Sequence, residues 1–333
     1  DYEPRVTTHI PQIITFIAAL IKKGHGYQAN GDVYFHINSF PAYGKLSRQK
    51  LDDLRSGVRI EVDEHKKDPL DFVLWKGEPA GQFWESPWGW GRPGWHIECS
   101  TLAREYLSDQ IDVHGGGIDL IFPHHENEIA QSESLHQTAF TRYWVHNGLI
   151  MSDKEKMSKS LGNVFILEEL FKQFDPMVLR FYFLNHHYRG PIEFSFDDLV
   201  AVQKGYQRLC NLFSQHICHN KQSKEIELPI FKQLYASLCD DLNTAGMIGL
   251  IFEHLSYLRE NEQELCAAKM LLTEVLGLTL EPLLETTVHI TPEIQQLIDE
   301  RSQAREQKNW ARADLLREQL EQLGIEVRDE KTD

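Results

Sequence analysis

Asp112-Val113-His114-Gly115-Gly116-Gly117, with Asp119 two residues further on, is the stretch on which the reading of the fold turns. A triple glycine between a strand and the next helix lets the backbone approach a ligand closely. Working outward, the pattern is mixed: a helix from about Ile97, a strand near Ile111, a helix from about Pro123, and a strand from Trp144 to Met151. That alternation predicts an α/β fold and half of a parallel, Rossmann-type nucleotide-binding sheet. The glycine turn alone is a weak signal. Asp119 is equally able to pair with a ligand's ammonium group or to cap the next helix.

Upstream, His9 to Lys23 reads as an amphipathic helix ending before Gly24-His25-Gly26, and Asp32 to Ile37 alternates like a strand. Arg59 to Pro93 is rich in Trp, Gly and Pro, which predicts loops around one short strand, Phe72-Val73-Leu74-Trp75. The character changes after Asp197. Val200–His219, Pro229–Cys239, Thr244–Glu260 and Glu262–Leu276 are four helical patterns with short connections, hence an α-helical bundle. A linker near Leu284 to Thr291 leads to a final helical pair over Pro292 to Leu323. The expected divisions are 1–93, 94–195, 196–283 and 291–333.

No apolar run reaches the length of a membrane span, and Asp1-Tyr2-Glu3-Pro4-Arg5 lacks a targeting layout, so a cytoplasmic protein without membrane partners is expected. Five cysteines without regular spacing argue for free thiols or a metal site rather than a disulfide framework. The net charge of −16 works against a simple nucleic-acid binder, whose phosphate contacts need Lys and Arg. A basic face can still sit on an acidic protein.

Two constellations carry chemistry. Lys156-Met157-Ser158-Lys159-Ser160, followed by Leu161-Gly162-Asn163, suits a loop that lays two ammonium groups on a polyphosphate. A solvated lysine loop is the plain alternative. Gly94-Trp95-His96-Ile97-Glu98-Cys99 pairs with Phe122-Pro123-His124-His125-Glu126-Asn127-Glu128. Pro123 at a helix start would set His124 and Glu128 one turn apart on one face. Cys99, near the start of its own helix, would have a lowered thiol pKa. Cys99, His124 and Glu128 are then plausible Zn²⁺ ligands. On spacing alone, a polar helix face and a core cysteine explain the same residues. Cys210, His216, Cys218 and His219 form a poorer cluster within one predicted helix, where the cysteines are expected in the core.

The pentapeptide from Lys156 resembles the signature of class I aminoacyl-tRNA synthetases. Together with Gly91–Cys99, His114–Leu120, Phe122–Glu128, Asp240-Asp241-Leu242-Asn243-Thr244 and Asn309–Asp314, it resembles the cysteinyl-tRNA synthetase family over nearly the whole chain. The resemblance implies a partial class I Rossmann-type catalytic domain with an insertion region, then a helical bundle and a small C-terminal anticodon-binding module. It implies activation of L-cysteine with ATP, with Mg²⁺, to cysteinyl-adenylate and transfer to tRNA(Cys). By resemblance, Cys99, His124 and Glu128 are three ligands of a zinc that selects the substrate thiolate. Trp95 and His96 would line the amino-acid pocket and Asp119 would meet the ammonium. Gly116, Gly148 and Leu149 would border the nucleotide, and Lys156 and Lys159 would hold its phosphates, with Lys159 nearest the transition state.

The family's His-x-Gly-His motif and a further zinc cysteine do not occur here. The expectation is an N-terminally truncated enzyme, impaired alone, with its zinc site one ligand short unless a partner fragment supplies the missing half. Alternatives are a ligase joining cysteine to an amino sugar, or a non-catalytic tRNA-binding fragment. Arg305, Arg312 and Arg317 are anticodon candidates that read more readily as solvated residues, and Trp310 is expected to pack between the last two helices.

Overall fold

The computed structural model describes residues 2–50, 65–152, 155–156, 166–214, 216, 218, 228–283, 292–307 and 309–322. It divides into two compact units: Asp1–Val164, Phe183–Asp198 and Lys232–Glu253 form the first, Phe165–Tyr182, Leu199–Phe231 and His254–Asp333 the second. No described helix is long and apolar enough to cross a membrane.

In the first unit, α1 (Ile10–Lys22) carries Pro in its first turn, where the missing N–H is harmless, and buries Ile10, Ile13, Phe16, Ile17 and Leu20. That i, i+3, i+4, i+7 stripe is the apolar face that the sequence predicts. It packs on an antiparallel sheet of β1 (Gly26–Ala29), β2 (Asp32–Phe35), β3 (Phe72–Gly77) and β4 (Gly91–Pro93), taken in that order. The expected lone strand at Phe72–Trp75 is therefore two residues longer and flanked by partners. Val33, Phe35, Leu74 and Trp75 fill the same core.

The α/β part follows. α2 (Trp95–Tyr106) leads to β5 (Ile111–Gly117), and α3 (Glu126–His136) leads to β6 (Thr141–Asn147), which pairs with β5 in parallel. The expected strand over Trp144–Met151 is in fact two. β6 stops at Asn147, and β7 (Ile150–Ser152) joins another sheet, between β8 (Glu155–Lys156) and β9 (Ile192–Glu193). The break falls at Gly148, whose N–H donates to Tyr188 O at 2.7 Å. A Cβ there would lie 2.1 Å from Gly190 O, so only glycine allows the approach.

The helical part contains α4 (Leu167–Leu170), α5 (Pro176–Leu184), α6 (Phe196–Ser214), α7 (Pro229–Cys239), α8 (Thr244–Glu253), α9 (Leu255–Glu260) and α10 (Glu262–Met270). The pattern expected over Thr244–Glu260 is two helices, interrupted at His254. Within the second unit, buried Glu264 accepts the Ile230 and Phe231 N–H groups, both at 3.0 Å, satisfying the first turn of α7. Cys218 and Cys266 form a disulfide, against the expectation of free thiols and of Cys218 in the core. Their Cα atoms lie 5.4 Å apart although 48 residues separate them in sequence, a proximity that spacing cannot reveal. Cys210 is buried as expected. Cys218 is thus bonded and His216 Nδ1 is engaged with Leu212 O at 2.9 Å, while His219 lies outside the described residues.

α11 (Pro292–Glu306) and α12 (Trp310–Gln322) form the predicted closing pair, burying Ala304, Ala313, Leu316 and Leu320. Trp310 is 59% exposed, not packed between them, because it occupies the first position of α12. Gly324–Val327 lie outside the described residues.

Phe16 is 1% exposed at the centre of the first unit's core. Phe16→Ala is expected to lower unfolding free energy by about 3–5 kcal/mol, read as a shifted denaturant midpoint. Tyr143→Ala, at a side chain 68% exposed, is expected to change it by no more than about 0.5 kcal/mol.

Candidate metal and amino-acid site

α2, β5 and the start of α3 converge on one cluster. The chain kinks at Phe122, which is extended, and from Pro123 it is helical and runs into α3. Pro123, directly after the extended Phe122, starts the helical run as expected. The expected spacing survives, with His124 Nε2 3.7 Å from Glu128 Oε2. Cys99, His124 and Glu128 each offer a ligand atom, all within 4.8 Å of one another. Zinc bonds of about 2.0–2.3 Å give tetrahedral edges of roughly 3.3–3.8 Å, so a small contraction would close the set.

Glu128 is fully buried, and among the described residues neither of its carboxyl oxygens makes a hydrogen bond. His114 Nε2 approaches Oε2 to 3.1 Å. Leaving such a group unsatisfied is costly unless a cation takes its lone pairs. The residues present therefore fit a metal ion, and the S, N, O donor set suits zinc.

The thiol expectation is corrected. Cys99 is the fifth residue of α2, past the reach of the helix N-terminus, and burial aided by Glu128 and Glu98 pushes its pKa up to about 12. Without a cation the thiol keeps its proton. Coordination would be what releases it.

The imidazoles are held neutral. Burial, with His124 nearby, lowers His96 to about 4. Burial and the neighbouring His114, His146 and His124 lower His125 to about 3. His124 is also lowered, burial outweighing the opposing pull of Glu128. His96 Nδ1 and His124 Nδ1 share a hydrogen bond of 3.0 Å, leaving His124 Nε2 directed to the Glu128 side. That is the outer-shell contact that orients a ligating imidazole. Trp95, 55% exposed, lays its ring 4.3 Å from that of His124.

Sequence reasoning missed a second group. His114, His125 and Glu128 also offer clustered ligand atoms, and His125 Nδ1 is 2.8 Å from His146 Nε2. The parallel register sets His114 opposite Trp144 and Gly116 opposite His146. The Trp144-x-His146 alternation on one strand face was the available signal. A Cβ on Gly116 would lie 2.8 Å from His125 Cε1, and one on Gly117 would lie 2.5 Å from Asp119 Oδ1. The glycines thus admit an imidazole and a carboxylate against the strand. Glu126 was also missed: its carboxylate accepts N–H groups from Gly44, Leu46 and Ser47 at 2.8–3.1 Å, tying that loop to α3.

Other expected residues are located as follows. Asp119 is exposed beyond Gly117, and Gly148 and Leu149 bridge β6 and β7. Lys156 ends β8, opposite Met151, while Lys159 lies outside the described residues. Arg312 pairs with Glu300 at 3.2 Å and Arg317 with Asp314 at 3.7 Å.

The class of protein follows from these elements and the comparisons together. Residues 1–204 match the family of class I (C) tRNA synthetase catalytic domains. A solved methionyl-tRNA synthetase from Mycobacterium tuberculosis, in complex with methionyl-adenylate, shares the fold with a TM-score of 0.52 at 14% identity, over 94% of this chain and 79% of that one. Residues 287–333 match the cysteinyl-tRNA ligase anticodon binding domain. The cysteine–tRNA ligase of Halalkalibacterium halodurans is 46% identical over 349 residues, covering 99% of this chain and 74% of the relative. That of Anoxybacillus flavithermus is 46% identical over 352 residues, with the same coverage. The chain belongs to the cysteine–tRNA ligases, an aminoacyl-tRNA synthetase family.

Cys99→Ser and Glu128→Gln are each expected to weaken zinc binding by on the order of 100-fold, measured by competition with a chelating dye, with helical content retained. Cys239→Ser, at an exposed thiol, should leave it unchanged.

Proposed function

We propose that these residues form the cysteine-selecting part of a zinc-dependent cysteine–tRNA ligase that uses ATP, with Mg²⁺, and tRNA(Cys). The observation that carries the reading is Glu128, a buried carboxyl with no hydrogen bond among the described residues, beside a Cys thiol and a neutral His. Zinc held by Cys99, His124 and Glu128 would supply a soft Lewis acid that favours the thiolate of cysteine over the hydroxyl of serine. Selection of this kind needs no editing site.

The chain's own groups do the rest. Trp95 covers the amino-acid pocket, and neutral His96 fixes His124 through the bond at Nδ1. Asp119 meets the substrate ammonium and leaves the carboxylate free to attack the α-phosphorus. Gly116, Gly148 and Leu149 border the nucleotide. Lys156 and Lys159 neutralise the departing pyrophosphate, where charge grows in the transition state. The match of residues 287–333 to an anticodon-binding domain supports tRNA, rather than an amino sugar, as the acceptor. In this reading residues 94–195 are the catalytic half, 1–93 the insertion region, 196–283 the tRNA-facing bundle and 291–333 the anticodon module.

His-x-Gly-His is not among these 333 residues, and neither is a fourth zinc ligand assigned. Adenylation then needs that motif from an N-terminal segment, joined or separate, and the 333 residues alone are impaired. Cysteine-dependent ATP–pyrophosphate exchange tests this. Little exchange is expected from the 333 residues alone, and robust exchange with cysteine but not serine once the segment is supplied. Lys159→Ala should then slow exchange by about 10²–10³-fold. Equal exchange with serine would overturn the reading.

A further inference from the structure

Asp240-Asp241-Leu242-Asn243-Thr244 lies far in sequence from the site, yet its contacts lead back to it within the first unit. The Asp241 carboxylate takes three hydrogen bonds. Tyr188 Oη donates to Oδ1 at 2.7 Å, Arg189 Nη2 donates to Oδ1 at 3.1 Å, and Arg189 Nε donates to Oδ2. Arg189 and Tyr188 hold the Asp241 carboxyl down to about 2, so the pair is charged at any working pH. Beside it, Thr244 Oγ1 donates to Leu184 O at 2.8 Å. The turn therefore grips the 184–189 segment from both ends.

The backbone of the turn is committed to this task. Asp241 and Leu242 both have positive φ, 54° and 56°, in the left-handed region that only glycine enters without strain and Asp or Asn tolerate. Two successive non-glycine residues in that region mark a conformation maintained by its contacts.

The gripped segment runs directly along the proposed nucleotide border. Gly148 N–H donates to Tyr188 O at 2.7 Å, Ile192 N–H to Leu149 O at 2.9 Å, and Phe194 N–H to Met151 O at 2.9 Å. Gly190 O sits where a side chain on Gly148 would be. β7 pairs antiparallel with β8, with Met151 opposite Lys156. Connection is continuous: turn 240–244, segment 184–194, residues 148–151, then the strand that ends in Lys156.

We propose that Asp241 is a positioning residue for the nucleotide half of the site, setting Gly148–Met151 and the root of the β7–β8 hairpin through Arg189 and Tyr188. The inference rests on the reading of Gly148, Leu149 and Lys156 as the nucleotide side. Arg189 is 58% and Asp241 42% exposed, so the ion pair acts through geometry rather than through a large stabilisation. Its two-pronged form fixes the orientation of the guanidinium, and with it the carbonyl of Tyr188.

Asp241→Asn keeps the left-handed backbone and an acceptor for Tyr188 but removes the charge. Arg189→Lys removes the fork. Two measurements on each variant decide the matter. Amide hydrogen exchange in the 333-residue chain should be faster at Gly148 and Ile192 than in wild type, with zinc binding unchanged. With the His-x-Gly-His segment supplied, the KM for ATP should rise about two- to fivefold while the KM for cysteine stays put. Unchanged exchange at both amides, or equal changes in the two KM values, would overturn the proposal. A wild-type enzyme that shows no ATP-dependent exchange would instead sink the functional reading, and the amide comparison would still decide the mechanical link.

Discussion

Two carboxyl groups at the start of α3 are removed from water in opposite ways, and most of the first unit is arranged around the difference. Glu126 is satisfied by three backbone N–H groups of the 44–47 loop. Glu128, one half-turn on, has no hydrogen bond at either oxygen among the described residues and faces a thiol and imidazoles. A folded chain does not keep two buried acids side by side without partners of comparable strength. The first acid fastens α3 to the 44–47 loop. The second leaves a position for a cation, and His124 and His125, held neutral by burial, can donate lone pairs rather than protons.

The glycines serve the same arrangement from the sheet side. Gly116 and Gly117 in β5 clear space for the His125 ring and the Asp119 carboxylate, and Gly148 lets the chain leave β6 for a different sheet. The cluster of Cys99, His114, His124, His125 and Glu128 is thus built on a helix start, a strand end and a second helix. Charge follows a similar logic at the other end of the chain. The net charge of −16 does not leave the arginines of the last helical pair idle, since Arg312 and Arg317 are matched by Glu300 and Asp314. An exposed Trp310 is then the more conspicuous feature of that pair.

What could be read from the sequence was what local spacing encodes. The α1 stripe, the strand at Asp32, the β5 glycines and the closing helical pair all depend on periods of two or 3.6 residues. Cys99, His124 and Glu128 do meet, because one turn of helix and one motif set them there. The remainder depends on pairings across the chain. His114 and His146 join the cluster only through the parallel register of β5 with β6. The break at Gly148 is imposed by Gly190, the disulfide by a fold that brings residues 218 and 266 together, and the high thiol pKa of Cys99 by burial beside two acids. Of these, only the Trp144-x-His146 alternation leaves a local trace.

Zinc K-edge X-ray absorption of the zinc-loaded chain, recorded with and without L-cysteine, tests the central claim most directly. The account expects one sulfur neighbour at about 2.3 Å from Cys99, and a second when cysteine is added but not when serine is. A sulfur count that is zero in the chain alone, or that does not change on adding cysteine, would contradict it.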